Sequence, residues 1–132
     1  APYQHPPIRL KTFTMMTTPT IYGIANCDTI RKTRKWLDAH HIAYDFVDLR
    51  EQLPSPSKLS LWLDCVGVEQ LVNRRSTTWR NLADAERKAL ESGDAQRVLL
   101  AHPTLIKRPL LELGNEIVVG FSADHYQQQF NV

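Results

Sequence analysis

A chain of 132 residues, with 42% hydrophobic and 23% charged residues, has the size and composition of one globular domain and excludes a disordered chain or a second substantial core. Its formal charge is +2, but Arg9 and Lys11 are the only charged residues among the first twenty, so residues 21–132 balance at 14 basic and 14 acidic. That neutrality excludes binding of a nucleic-acid backbone as the main role, and no apolar run approaches the length of a bilayer span.

The opening residues 1–15 include Pro2, Pro6 and Pro7 and have no helical or strand periodicity. They read as an added leader, with the natural start at Met15 or Met16 and a single domain over 16–132. Residues 20–24 form a short β-rich apolar run, interrupted by Ala25, Asn26, Cys27 and Asp28. Ile30, Thr33 and Leu37 then recur at helical spacing among Arg31, Lys32, Arg34 and Lys35, the pattern of an amphipathic helix. A second strand over 44–49 completes a βαβ unit, which sterics make parallel and right-handed. A helical insertion is expected over about 55–101. Its first helix, capped by Ser55 or Ser57, carries Leu59, Trp62, Leu63 and Val66 and stops at Gly67, and shorter helices cover 78–82, 84–90 and 94–101. Pro103 ends the insertion, residues 110–113 and 117–119 form a hairpin around Gly114 and Asn115, and a last helix runs over 123–130. The order β-α-β, insertion, β-β-α is an α/β arrangement of the thioredoxin-like kind.

Two cysteines, Cys27 and Cys65, are too few for a disulfide framework, and no secretory signal is recognisable, so the reading is a reducing cytoplasm. Cys27 lies between the first strand and the first helix, where unpaired backbone N–H groups favour a thiolate. Arg31 and Lys32 one turn later suggest a cationic field around it, opposed by Asp28, which reads as a backbone cap. A small buried hydrophobe is the commonest role of an intracellular cysteine, but a strand-to-helix switch is where α/β folds bind ligands. Cys65, near a helix C-terminus, reads as structural. The histidines at 5, 40, 41, 102 and 125 have no ligand spacing, so no metal is expected, and His40 and His41 read as a helix end. Two arginine groups remain, Arg74 with Arg75, and Lys107 with Arg108. Arg108 precedes Pro109 at the start of a strand expected beside Cys27, where a guanidinium could hold an oxyanion or carboxylate.

The segments 23–32 (GIANCDTIRK), 71–82 (LVNRRSTTWRNL) and 102–109 (HPTLIKRP) together resemble the ArsC/Spx/YffB family, most closely its YffB branch. The resemblance starts near Thr20 and reaches the C-terminus. It implies a thioredoxin-like fold, a nucleophilic Cys27, a cis Arg108–Pro109 bond and a glutathione-linked reductase activity. On that basis Asn26, Arg31, Arg74, Arg75, Lys107, Arg108 and Pro109 are expected to bind substrate or glutathione. Glutathione is the expected co-substrate, no cofactor is expected to stay bound, and the peptide backbone beside Pro109 is expected to pair with the γ-glutamyl chain. Two departures qualify the resemblance. Arsenate reductases of the family place a third arginine beyond the proline, whereas no Arg or Lys follows Arg108; and Ile30 stands where a C-x-x-C pair would need its second cysteine. The expected function is therefore a glutathione-dependent thiol oxidoreductase with one nucleophilic cysteine. The alternatives are an arsenate reductase working with glutathione and glutaredoxin, and an Spx-like non-catalytic regulator that contacts RNA polymerase.

Overall fold

A computed structural model describes residues 18–132; the leader expected over 1–15 and the start at Met15 or Met16 lie outside the described residues. Strand β1 (Thr20–Gly23) leads through a tight turn into helix α1 (Asp28–Ala39), and β2 (Asp45–Asp48) returns parallel to β1. The insertion follows as α2 (Pro56–Leu71), α3 (Thr77–Arg80), α4 (Asp84–Glu91), α5 (Ala95–Ala101) and a 3-10 turn (Pro103–Leu105). The chain then re-enters the sheet as β3 (Leu110–Leu113) and β4 (Glu116–Val119) and ends with α6 (Ala123–Phe130). The strand order is β2-β1-β3-β4, with β3 antiparallel to both β1 and β4. This is the thioredoxin-like arrangement read from the sequence.

Period-two alternation gives each sheet face its own core. Ile21, Leu111 and Val118 face α1 and α6, packing with Ile30, Leu37 and Tyr126. Tyr22 and Leu110 face the insertion, packing with Leu59, Trp62, Val98 and Leu99. Ile30, Thr33 and Leu37 are the buried residues of α1, as their spacing predicts. The Thr33 hydroxyl stays satisfied in the core by donating to the Thr29 carbonyl at 2.7 Å.

Ser55, the first of the two candidate caps, accepts from the Lys58 N–H and starts α2. Gly67 does not end that helix outright. It takes φ 81°, ψ 161° and kinks it, and a further helical turn carries the chain to Leu71. A glycine is required there because that backbone conformation strains any residue with a Cβ. Glu112 projects from β3 toward α2 and gathers three donors: Lys58 Nζ at 3.0 Å from each carboxylate oxygen, Trp62 Nε1 at 3.1 Å and the Tyr22 hydroxyl at 3.3 Å. Burial works against the Lys58 charge, but Glu112 and Tyr22 together outweigh it and raise the lysine above its ordinary value. The cluster fastens the insertion to the sheet.

Candidate active site

Gly23 ends β1 with its Cα against α1. A Cβ there would run into Ile30 Cδ1 and lie 2.8 Å from Ile30 Cγ1. The missing side chain lets the first turn of α1 close onto the strand, and the intervening turn is pinned by Cys27 N–H to the Ile24 carbonyl (3.2 Å) and Ala25 N–H to Asp48 Oδ2 (3.2 Å). Cys27 is the N-cap of α1, in extended conformation, and its carbonyl accepts the Arg31 N–H at 3.0 Å. Its half-buried thiol therefore sits over the open end of the helix.

Burial pushes the Cys27 thiol up, but the N–H groups of Ile30 and Thr29 and the Arg108 guanidinium favour the thiolate and together hold it below the ordinary thiol value. The cation is not the one expected. Arg31 is exposed and ion-paired with Asp28, one turn apart on the same helix face. Asp28 consequently serves Arg31 rather than capping the backbone, and the leading influences on the Cys27 thiol include neither Arg31 nor Lys32.

Arg108 is fixed by its own chain. Its Nη1 donates to the carbonyl of Thr104 at 2.9 Å and reaches that of Ile106 at 3.5 Å, while its buried Nε has no partner among the described residues. The segment carrying it is stitched to the end of α2. Lys107 N–H donates to the Leu71 carbonyl (2.7 Å), Asn73 N–H donates to that of Leu105 (2.8 Å), and Val72 and Ile106 form a bridge. These bonds bring Asn73, Arg74 and Arg75 alongside Lys107 and Arg108. The Arg108–Pro109 bond is cis.

Between these segments lies an open cleft of about 610 Å³, lined by Thr29, Glu69, Val72, Asn73, Arg74, Arg75, Lys107, Arg108, Gly120 and Phe121. Two of its lining residues, Thr29 and Arg108, are also supporters of the Cys27 thiolate. Four expected residues, Arg74, Arg75, Lys107 and Arg108, meet here. Arg74 is already engaged, 3.6 Å from Glu69 and 3.8 Å from Glu91, with its guanidinium 5.5 Å from the Trp79 ring centroid. Arg75, Lys107 and Arg108 form no ion pair among the described residues, which leaves the cleft cationic.

Asn26 is exposed in the turn before Cys27, and neither it nor Arg31 lines the cleft. Pro109 is buried, its carbonyl accepts the Gly120 N–H at 2.8 Å, and it does not line the cleft. Cys65 is exposed, not a core residue: with Asp64 it lies off the α2 stripe that buries Leu59 and Trp62. Sequence reasoning named no site role for Thr29, Glu69, Val72, Asn73, Gly120 or Phe121. Only the helix-start position of Thr29 could have pointed to one of them.

The model of the ArsC family matches residues 22–129. A solved structure named as the YffB protein is 41% identical with a TM-score of 0.79, the match covering 84% of this chain and 97% of that one. The solution structure of an arsenate reductase (ArsC) related protein from Brucella melitensis is 39% identical with a TM-score of 0.68, covering 87% and 96%. The regulatory protein MgsR of Bacillus subtilis (strain 168) is 29% identical, covering 78% of this chain and 82% of that protein.

Proposed function

The chain belongs to the ArsC family, and from that premise we propose that it is a glutathione-dependent thiol oxidoreductase whose single nucleophile is Cys27. The observation that carries this reading is the favoured Cys27 thiolate, supported by two helix-start amides and Arg108, at the side of a cationic cleft. In the proposed reaction the thiolate attacks the glutathione sulfur of a mixed disulfide between glutathione and a substrate thiol. A Cys27–glutathione S–S bond forms as the original S–S bond breaks, and the departing thiolate leaves with the electron pair. A glutathione thiolate then attacks the glutathione sulfur of this intermediate, which yields glutathione disulfide and regenerates the Cys27 thiolate. No second protein thiol enters the cycle, which suits Ile30 in the C-x-x-C position.

Glutathione carries two carboxylates, and Arg75, Lys107 and Arg108 are the cations free to meet them. Proline has no N–H and the Pro109 carbonyl is already taken, so pairing of the γ-glutamyl backbone at this point falls to the peptide groups of Arg108. A cytoplasmic location and a glutaredoxin partner belong to the same proposal. The relative named as a regulatory protein supports a second reading, a binding module that keeps the fold without turnover. Mass spectrometry after exposure to glutathione disulfide, with Cys27→Ser alongside, tests the proposal. Modification at Cys27 that is cleared by reduced glutathione is expected; an unmodified Cys27, or a mixed disulfide that glutathione cannot resolve, favours the binding module.

A further inference from the structure

Among the residues lining the cleft, Glu69 is the one carboxylate, set against Arg74, Arg75, Lys107 and Arg108. It is 84% exposed, and its one ion pair among the described residues, with Arg74 at 3.6 Å, is long. Arg74 does not depend on it, since Glu91 approaches the same guanidinium at 3.8 Å and the Trp79 ring lies 5.5 Å from it. Glu69 is thus held near the cleft by a contact worth little in water and can exchange that contact for another cation at small cost. A cleft built to take a plain oxyanion gains nothing from a carboxylate on its wall, which repels the ligand. A cleft built for a zwitterion does gain.

We infer that Glu69 is a specificity-determining residue that receives the α-ammonium group of the γ-glutamyl end of glutathione, while unpaired cations of the cleft take the carboxylates. The inference rests on the glutathione reading above and deepens it. The charges then match in kind: glutathione presents two carboxylates and one ammonium, and the wall offers Arg75, Lys107 and Arg108 for the former and Glu69 for the latter.

The test compares two disulfides, glutathione disulfide and the disulfide of the des-amino analogue, glutaryl-cysteinyl-glycine, which lacks only the ammonium. The readout is the rate of Cys27 mixed-disulfide formation by mass spectrometry, for wild type, Glu69→Gln and Glu91→Gln. Wild type is expected to prefer glutathione about two- to fivefold, the range of a partly exposed ion pair. Glu69→Gln should erase that preference by slowing the glutathione reaction alone, and Glu91→Gln should retain it. Equal rates for the two disulfides in wild type, or a preference that survives Glu69→Gln, overturn the inference and leave the glutathione reading standing. A preference lost equally in Glu91→Gln also overturns it, because the effect would then act through Arg74. If neither disulfide modifies Cys27 while iodoacetamide still does, the glutathione reading itself falls.

Discussion

A thiolate at Cys27 has three supporters, and only one of them is a side chain. Arg108→Ala should therefore shift the pH midpoint of Cys27 alkylation upward without restoring the ordinary thiol value, because the Thr29 and Ile30 amides remain. Loss of the guanidinium should also slow glutathionylation about tenfold to a hundredfold, the effect of removing a charge-assisted contact of about 1.5–3 kcal/mol. The same substitution frees the carbonyls of Thr104 and Ile106, so a urea melt should record a loss of about 1 kcal/mol, smaller than the loss in rate. An unchanged alkylation midpoint would remove Arg108 from the site. Exposed Cys65 provides an internal standard for the alkylation. A depressed thiol also marks stability: the folded chain holds fewer protons than the unfolded one between the two thiol values. The resulting stabilisation is complete above the unfolded value and lost as pH falls through the folded one. The difference in melting temperature between wild type and Cys27→Ser should accordingly rise with pH across that window and level off above it; a difference independent of pH would contradict the thiolate. Sequence position made Cys27 and Arg108 legible. The assignment of Arg31 failed because Asp28, three residues earlier on the same face, competes for it, and spacing alone did not decide between an ion pair and a field at the sulfur.

The elements that form the site were legible because each carries a local signal. The i, i+3, i+7 burial of α1 and the turn residues Gly114 and Asn115 of the β3–β4 hairpin are local patterns, and both elements formed where those patterns fell. How α2 ends was less legible: Gly67 reads as a stop from the sequence, and the helical turn beyond it shows only once Leu71 is seen packed in the core. Gly23 is a stricter case. Its need for glycine comes from Ile30, which is fully buried and has no room to move aside. Gly23→Ala is expected to destabilise the chain by about 1–3 kcal/mol in a urea melt, the usual cost of overpacking. Because the Ile30 N–H is one of the groups facing the thiol, the alkylation midpoint of Cys27 should rise in the same variant. A stability loss with an unmoved midpoint would mean that the first turn of α1 is set by its capping turn and not by its contact with β1.

Four stretches of chain converge on the cleft: the start of α1, the end of α2 with the residues after it, the loop before β3, and the loop after β4. The last contributes Gly120 and Phe121, one without a side chain and one aromatic, whose ring lies 4.9 Å from that of Tyr126 in the α6 core. That wall has no cation to offer, and no Arg or Lys occurs after Arg108. Arsenate turnover with glutathione and glutaredoxin is therefore expected to be weak beside disulfide exchange in kcat/KM, since one charge-assisted contact to the polyanion, worth about 1.5–3 kcal/mol, is missing. Comparable values for the two substrates would show that Arg75, Lys107 and Arg108 suffice for a polyanion. The neutral wall was visible as a gap in the sequence, while the engagement of Arg74 by Glu69 and Glu91 was not, because it depends on how α2 and α4 come together.

The antiparallel pairing of β1 with β3 separates the nucleophile from its activator in time as well as in sequence. During synthesis Cys27 leaves the ribosome early, and Arg108 follows only after the whole insertion. Until β3 docks, the guanidinium has no fixed place near the sulfur, and Cys27 titrates closer to a free thiol. The contribution of Arg108 to the thiolate thus exists only once β3 is in place, so that maturation of the thiolate reports the closing of the sheet.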